Sequence, residues 1–237
     1  MVDQSEMIFG VRAVIEAIQA GKEIDKILVK KDIQSDLSKD LFAVLKGTLI
    51  PVQRVPVERI NRITRKNHQG VVAFISSVTY QKAEDLVPFL FEQGKNPLFV
   101  MLDGITDVRN FGAIARTCEC AAADAVIIPA KNSVSVNADA MKTSAGALHT
   151  LPVCREQNLK DTLQFLKALF HGPKLRNGTK VLEKVVTLLF VLQHEDRLIQ
   201  LVVFFLLADL DHIEFSFHIT QPASGAGALA LFYHFTQ

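Results

Sequence analysis

The run PLFVMLDG (97–104) is apolar at odd and even positions alike. A strand that hides one face alternates apolar with polar residues. A run like this must be covered on both faces, as an inner strand of a parallel sheet is. A helical segment over about 111–122 follows, then a second apolar run, DAVIIP (124–129). Neighbouring parallel strands need a crossover of a dozen or more residues, which this spacing supplies. The loop KNSVSV (131–136), a helix expected over about 138–148 and a strand in HTLPV (149–153) extend the series. Such a β-α-β-α-β succession predicts a doubly wound α/β sheet with ligand loops at the carboxyl ends of its strands.

The residues before this block carry a different rhythm. IFGVRAVIEAIQA (8–20) spaces Val11, Val14, Ile15 and Ile18 as a helix does. KILVKK (26–31), LIPVQRV (49–55) and GVVAFISSV (70–78) read as strands, with helices in LSKDLFAVLKG and in PVERINRITRK between them. Pro56 suits the first turn of the second helix. The pattern predicts a small α/β domain over 1–78 and a connector over 79–96, with one amphipathic helix interrupted at Pro88. Within PVERINRITRK, Arg59, Arg62 and Arg65 or Lys66 fall at i, i+3 and i+6 or i+7. They form one basic helical face, with Asn67 and His68 just beyond. The same face also fits plain solvation, and His68 alone fits a structural histidine.

Bulk properties narrow the classes. A net charge of +1 gives no global pull toward nucleic acid, so such binding must rest on local patches like this one. Three cysteines make no disulfide framework. Cys118 and Cys120, two apart on a helix, point apart, which argues against a metal site. MVDQSEMIFG carries acids where a signal peptide is basic, and LIQLVVFFLLA (198–208) falls short of the ~20 residues of a membrane helix. A cytoplasmic protein with no membrane partner is expected.

The chemistry-bearing stretch is DGITDVRNFGAIAR (103–116), at the junction of strand and helix. A helix start offers free N–H groups and partial positive charge, suited to phosphate. Gly112 lets another backbone approach, Asn110 can bond a hydroxyl, and Arg116 offers a planar, permanently charged fork. Taken alone, the pattern fits equally a helix cap at Asn110 and a surface ion pair at Arg116.

VRNFGAIARTCECAAADAVII resembles the first motif of the SpoU-type RNA 2′-O-ribose methyltransferases of the SPOUT superfamily. KTSAGALHTLPV (142–153) resembles that family's next block. IFGVRAVIEAI and NHQGVVAFIS are similar to the two ends of its substrate-binding domain, and the resemblance runs over about 7–167. It implies a small ribosomal-protein-like α/β substrate-binding domain followed by a parallel-sheet domain of the trefoil-knot type, with 97–167 as its N-terminal part. It also implies methyl transfer from S-adenosylmethionine to a ribose 2′-hydroxyl of tRNA or rRNA, by a homodimer. By position, Arg116 and Asn110 match the family's catalytic residues. Arg59, Arg62, Arg65, Lys66, His68, Lys142 and Ser144 become RNA-contact candidates, although Ser144 serves equally well as a helix cap. No residue is assigned to the cofactor.

From about residue 168 the text changes. Residues 168–237 hold eight of the 16 Phe but only 11 charged residues in 70, so this C-terminal region is atypical of the family. The glycine-flanked Glu loop and the Ser-Leu-Asn segment expected there are missing. VLEKV, HEDR and HIEFS lack the flanking glycines, and QPASGAGALALFYHF lacks the Ser-Leu-Asn run. A reading-frame change near LQFLK accounts for both the break and the composition; the alternative is a divergent C-terminus that folds in its own way, and translating the other two frames distinguishes them. A second reading follows from another class: an inactive RNA-binding protein of the same lineage, lacking the cofactor pocket. An unrelated nucleotide-binding enzyme is the weakest reading, since no G-x-G-x-x-G or P-loop pattern follows a strand.

Overall fold

A computed structural model of the chain describes residues 7–34, 36–170, 186–194, 197–206 and 215–218, with side chains as far as Leu166. The chain divides into two units. One holds the residues up to Thr79 together with Ser135–Met141; the other holds Tyr80–Val134 and the residues from Lys142 onward.

The first unit runs β1 (Met7–Phe9), α1 (Val11–Gln19), β2 (Ile24–Lys30), α2 (Asp36–Leu45), β3 (Val52–Val55), α3 (Val57–Ile63) and β4 (Val71–Ile75). Its sheet has the order β1-β4-β2-β3, with β4 antiparallel to both neighbours and β3 parallel to β2. Alternation sorts the side chains. Ile27, Val29, Val71 and Ala73 pack with Val11, Val14 and Leu41 of α1 and α2, while Leu28, Val55 and Val72 pack with Ile60 of α3. The helix expected from residue 8 starts instead at Val11. Met7–Phe9 pair with Phe74–Val72 of β4, and Gly10 turns the chain between strand and helix. A later stretch completes this unit. Val136 is fully buried; its N–H donates to Asp25 Oδ1 at 3.2 Å and its carbonyl accepts from Ser77 N–H at 2.9 Å. Lys26 Nζ donates to Ser135 Oγ at 2.7 Å.

The second unit contains β5 (Tyr80–Gln81), α4 (Ala83–Glu92), β6 (Leu98–Asp103), α5 (Val108–Cys120), β7 (Ala125–Pro129), β8 (Val153–Glu156), α7 (Leu159–Phe170), β9 (Val186–His194), β10 (Arg197–Leu206) and β11 (Phe215–His218). Helix α6 (Ala138–Thr143) and a 3₁₀ turn at Ala147–His149 precede β8. The sheet order is β11-β10-β9-β6-β7-β8-β5; β9, β6, β7, β8 and β5 run parallel, and β10 and β11 are antiparallel additions. Phe99 and Met101 of β6 pack with Ala125, Ile127, Cys154, α4 and Leu166 of α7. Val100 and Leu102, which point the other way, are buried as well. The two-sided burial expected of PLFVMLDG is present.

Several boundaries differ from the sequence reading. Residues 80–92, expected within a connector, form an edge strand and a helix of this unit. Helix α4 continues through Pro88: burial of Leu86, Val87 and Leu90 outweighs the single hydrogen bond that proline removes. Helix α6 stops at Thr143 rather than near 148, because Ala145 and Gly146 both take positive φ. The strand placed in HTLPV begins only at Val153. The segments VLEKV (181–185) and QPASGAGALALFYHF lie outside the described residues, as do parts of HEDR and HIEFS.

Candidate functional site at the carboxyl end of the central strand

Strand order reverses at β6. The chain moves from β6 to β7 and β8 on one side, and β9 lies on the other, with Asp103 opposite Leu192. In doubly wound sheets such a reversal is where ligands bind, at the carboxyl ends of the strands. The loop leaving β6 is Gly104–Asp107, and α5 begins directly after it.

The start of α5 is not capped by Asn110. Asp107 takes the cap position, and its Oδ1 accepts from Asn110 N–H at 2.8 Å. Asp107 is the better placed acceptor, one residue ahead of the first helical turn. The Asn110 side chain, half-buried, is therefore not spent on the cap. Phe111, Ala115 and Cys118 anchor the opposite side of α5 in the core, so Arg116 is held outward and exposed. Among the described residues the Arg116 side chain makes no hydrogen bond or ion pair. The surface ion pair that sequence allowed is not formed among the described residues.

Gly112 brings a second segment to the helix. A Cβ built on Gly112 would stand 2.6 Å from Thr143 Cβ and 2.9 Å from its carbonyl carbon, closer than real contacts allow. The end of α6 is thus seated on α5 where a side chain is missing. Lys142, exposed and unpaired among the described residues, precedes this contact; Ser144 follows it. Ser144 is fully buried, and its Oγ accepts from Leu148 N–H at 3.5 Å; the N-cap of the 3₁₀ turn is Gly146, not Ser144. One close contact therefore joins the neighbourhoods of Asn110–Arg116 and Lys142–Ser144, thirty residues apart in sequence.

The basic stretch of the first unit is not one helical face. Helix α3 ends at Ile63, and Thr64 is extended and buried, with its Oγ1 accepting from Lys66 N–H at 3.2 Å. A β-branched residue whose hydroxyl competes for backbone N–H groups is a weak helix continuer. Arg59 and Arg62 lie on α3; Arg65 and Lys66 lie in the following turn, all four exposed. Lys66 Nζ sits 5.1 Å from the Phe9 ring centre. His68 is tied into the protein: its Nδ1 accepts from Gly70 N–H at 2.9 Å and its Nε2 lies 2.8 Å from Asn61 Oδ1. That pairing assigns the ring proton to Nε2. Gly70, with φ of 82°, makes the turn into β4. A cleft of about 590 Å³ opens beside these residues, walled by Lys30, Asp32, Lys66 and His68.

Other titratable groups are structural. Burial pushes the Cys118 and Cys154 thiols up to about 12. Glu156 is raised above the ordinary carboxylate range by burial, while its Oε1 accepts from Ala83 N–H at 2.7 Å at the start of α4. The Arg155 guanidinium, buried, stacks 3.4 Å from the Tyr80 ring centre and binds the edge strand β5 to β8. No group of three or more metal-ligating side chains occurs among the described residues, and no helix among them is long and apolar enough to cross a membrane.

Comparison with known proteins supplies the lineage. Residues 7–81 match the family model of the RNA 2′-O ribose methyltransferase substrate-binding domain, and residues 97–186 match that of the SpoU rRNA methylase family. A protein assigned by name to the TrmH family of tRNA/rRNA methyltransferases in Staphylococcus saprophyticus is 35% identical over 161 residues, 68% of this chain and 65% of its own length. The TrmH-family protein YacO of Bacillus subtilis is 29% identical over 70% of this chain and 67% of its own length. The chain thus spans less than two thirds of the first of these relatives. The AdoMet-bound rRNA methyltransferase of Sinorhizobium meliloti is 20% identical over 81% of this chain and 73% of that one, with a TM-score of 0.37, a partial likeness. With substrate-binding and methylase regions matched in that order, the chain belongs to the SpoU family of RNA methyltransferases.

Proposed function

We propose that the protein transfers a methyl group from S-adenosylmethionine to a ribose 2′-hydroxyl of tRNA or rRNA, with Arg116 and Asn110 acting at the reacting sugar. The observation that carries this reading is the pairing of the two family matches with an exposed, unpaired Arg116 and an uncommitted Asn110 at the switch point of the sheet.

S-adenosylmethionine supplies an electrophilic sulfonium methyl. The remaining work is positioning. Guanidinium groups stay charged in proteins, so Arg116 serves as a clamp on an RNA phosphate and stabilises developing alkoxide charge, not as a base. Asn110 holds the hydroxyl in line with the methyl group, the geometry on which effective molarity depends. In the first unit Arg59, Arg62, Arg65 and Lys66 supply sequence-independent phosphate contacts, with His68 bracing their turn. A cytoplasmic homodimer and the domain division 1–78, 97–167 and 168–237 belong to the same reading; light scattering reports the dimer.

Calorimetric titration tests the activity. Heat on adding S-adenosylmethionine, together with tritiated-methyl incorporation into RNA, is expected. RNA binding with no cofactor heat would leave an inactive RNA-binding protein. Arg116→Ala is expected to lower transfer by at least about 100-fold, about 2.7 kcal/mol, while cofactor affinity stays near wild type. An unchanged rate would remove Arg116 from the mechanism.

A further inference from the structure

Helix α5 carries a second arginine, Arg109, one residue before Asn110. Arg109 and Arg116 are seven residues apart, so they stand within about 20° of each other around the helix axis. Along it they are about 10.5 Å apart. The residues between them on that face, at i+3 and i+4, are Gly112 and Ala113. Gly112 lies buried under Thr143, so what stays open between the two cations on that face is the half-buried methyl of Ala113.

Neither cation is neutralised by another described residue. The Arg109 side chain is exposed and, like that of Arg116, has no hydrogen bond or ion pair among the described residues. The acids nearest on the helix are committed elsewhere: Asp107 to the Asn110 N–H, and Glu119 to Thr150 Oγ1 at 2.9 Å. The Gly112–Thr143 contact seats the end of α6 on this same face, so Lys142 stands at its border. Among the described residues these three cations carry no ion pair, and they stand around the place where α6 meets α5, a charge pattern complementary to a run of phosphates. A salt-bridge-laced solvated helix would instead interleave acids on that face.

We propose that Arg109 is a second RNA-phosphate contact of the transfer site, gripping a phosphate adjacent to the one held by Arg116, with Lys142 closing the border. This rests on the methyltransferase reading above and adds to it a residue that fixes the strand's path across α5. The fork of an arginine holds a phosphate bidentately, which orients the chain as well as attracting it.

The test is the salt dependence of RNA binding by the full chain, with fluorescein-labelled unfractionated tRNA as the probe. Each neutralised phosphate contributes about 0.7–0.9 to the slope of log K against log salt. Arg109→Gln is expected to reduce that slope by this amount, as Arg116→Gln does, and Arg109→Lys to restore it; thermal midpoints should stay at the wild-type value. If Arg116→Gln lowers the slope and Arg109→Gln does not, Arg109 is an ordinary solvated side chain and only this proposal is overturned. If the wild-type chain shows no salt-dependent tRNA binding, the methyltransferase reading itself fails and takes the proposal with it.

Discussion

At the scale of single residues, the site depends on one atom that is missing. Gly112 has no Cβ, and Thr143 fills the space where one would stand. Gly112→Ala is therefore expected to destabilise the protein by about 1–3 kcal/mol, the usual cost of overpacking, as read by urea unfolding. Shortening the partner by Thr143→Gly should recover part of that loss in the double variant, although the Thr143 backbone carbon also stands close. Full additivity of the two losses would show that the residues do not press on each other. The residue scale also explains a misleading signal. Asn110 and Asp107 are both good caps by type, and only the start of the helix at Val108 gives the role to Asp107.

At the scale of elements, α4 is secured by Glu156, whose carboxylate accepts from the first helical N–H while itself largely buried. Burial raises its pKa, against the lowering effects of that N–H, of Lys82 and of Thr162; Glu84 adds to the rise. A carboxyl raised in the folded state binds its proton more tightly there than in the unfolded chain. Its stabilisation is complete below about 4.5 and is lost as pH climbs through the raised value. Glu156→Gln keeps an acceptor for Ala83 and removes this titration. Relative to it, the wild type is expected to lose stability on going from pH 4 to neutrality, as checked by thermal melts across that range. Parallel curves for the two proteins would mean that Glu156 is not the titrating group. The element scale also shows where the basic pattern misled. Spacing of i, i+3 and i+7 assumes a helix that continues, and Thr64 ends it after two turns.

At the scale of the whole chain, the division into units does not follow sequence order. The first unit recruits Ser135–Met141, and Asp25, nearly fully buried, receives the Val136 N–H. Asp25→Ala leaves that buried donor without its acceptor and is expected to cost about 1–3 kcal/mol. Hydrogen exchange locates the loss: protection should fall in β2 and β4, while that of β6 and β7 is retained. An equal loss in both sheets would contradict a separate first unit. Composition reads poorly at this scale, because low charge and many aromatics say only that residues after 167 favour strands. The three described strands of that region do join the sheet, with β9 parallel to β6. Their side chains and the loops between them lie outside the described residues.

The sequence by itself determined the parallel inner strand at 97–104, the helices and strands on either side, and the arginine and asparagine at its carboxyl end. These follow from periodicity and turn chemistry, which act over a few neighbouring residues. Its family motifs determined the lineage for the same reason, since they are local strings. Only the tertiary structure decided that Asp107 and not Asn110 closes the helix start, that Thr143 rests on Gly112, that residues 135–141 return to the first unit, and that Arg109 and Arg116 are exposed with no ion pair among the described residues. Each of those depends on which distant backbone arrives within a few ångströms, and packing at that range is set by the assembled sheet, not by any short stretch of chain.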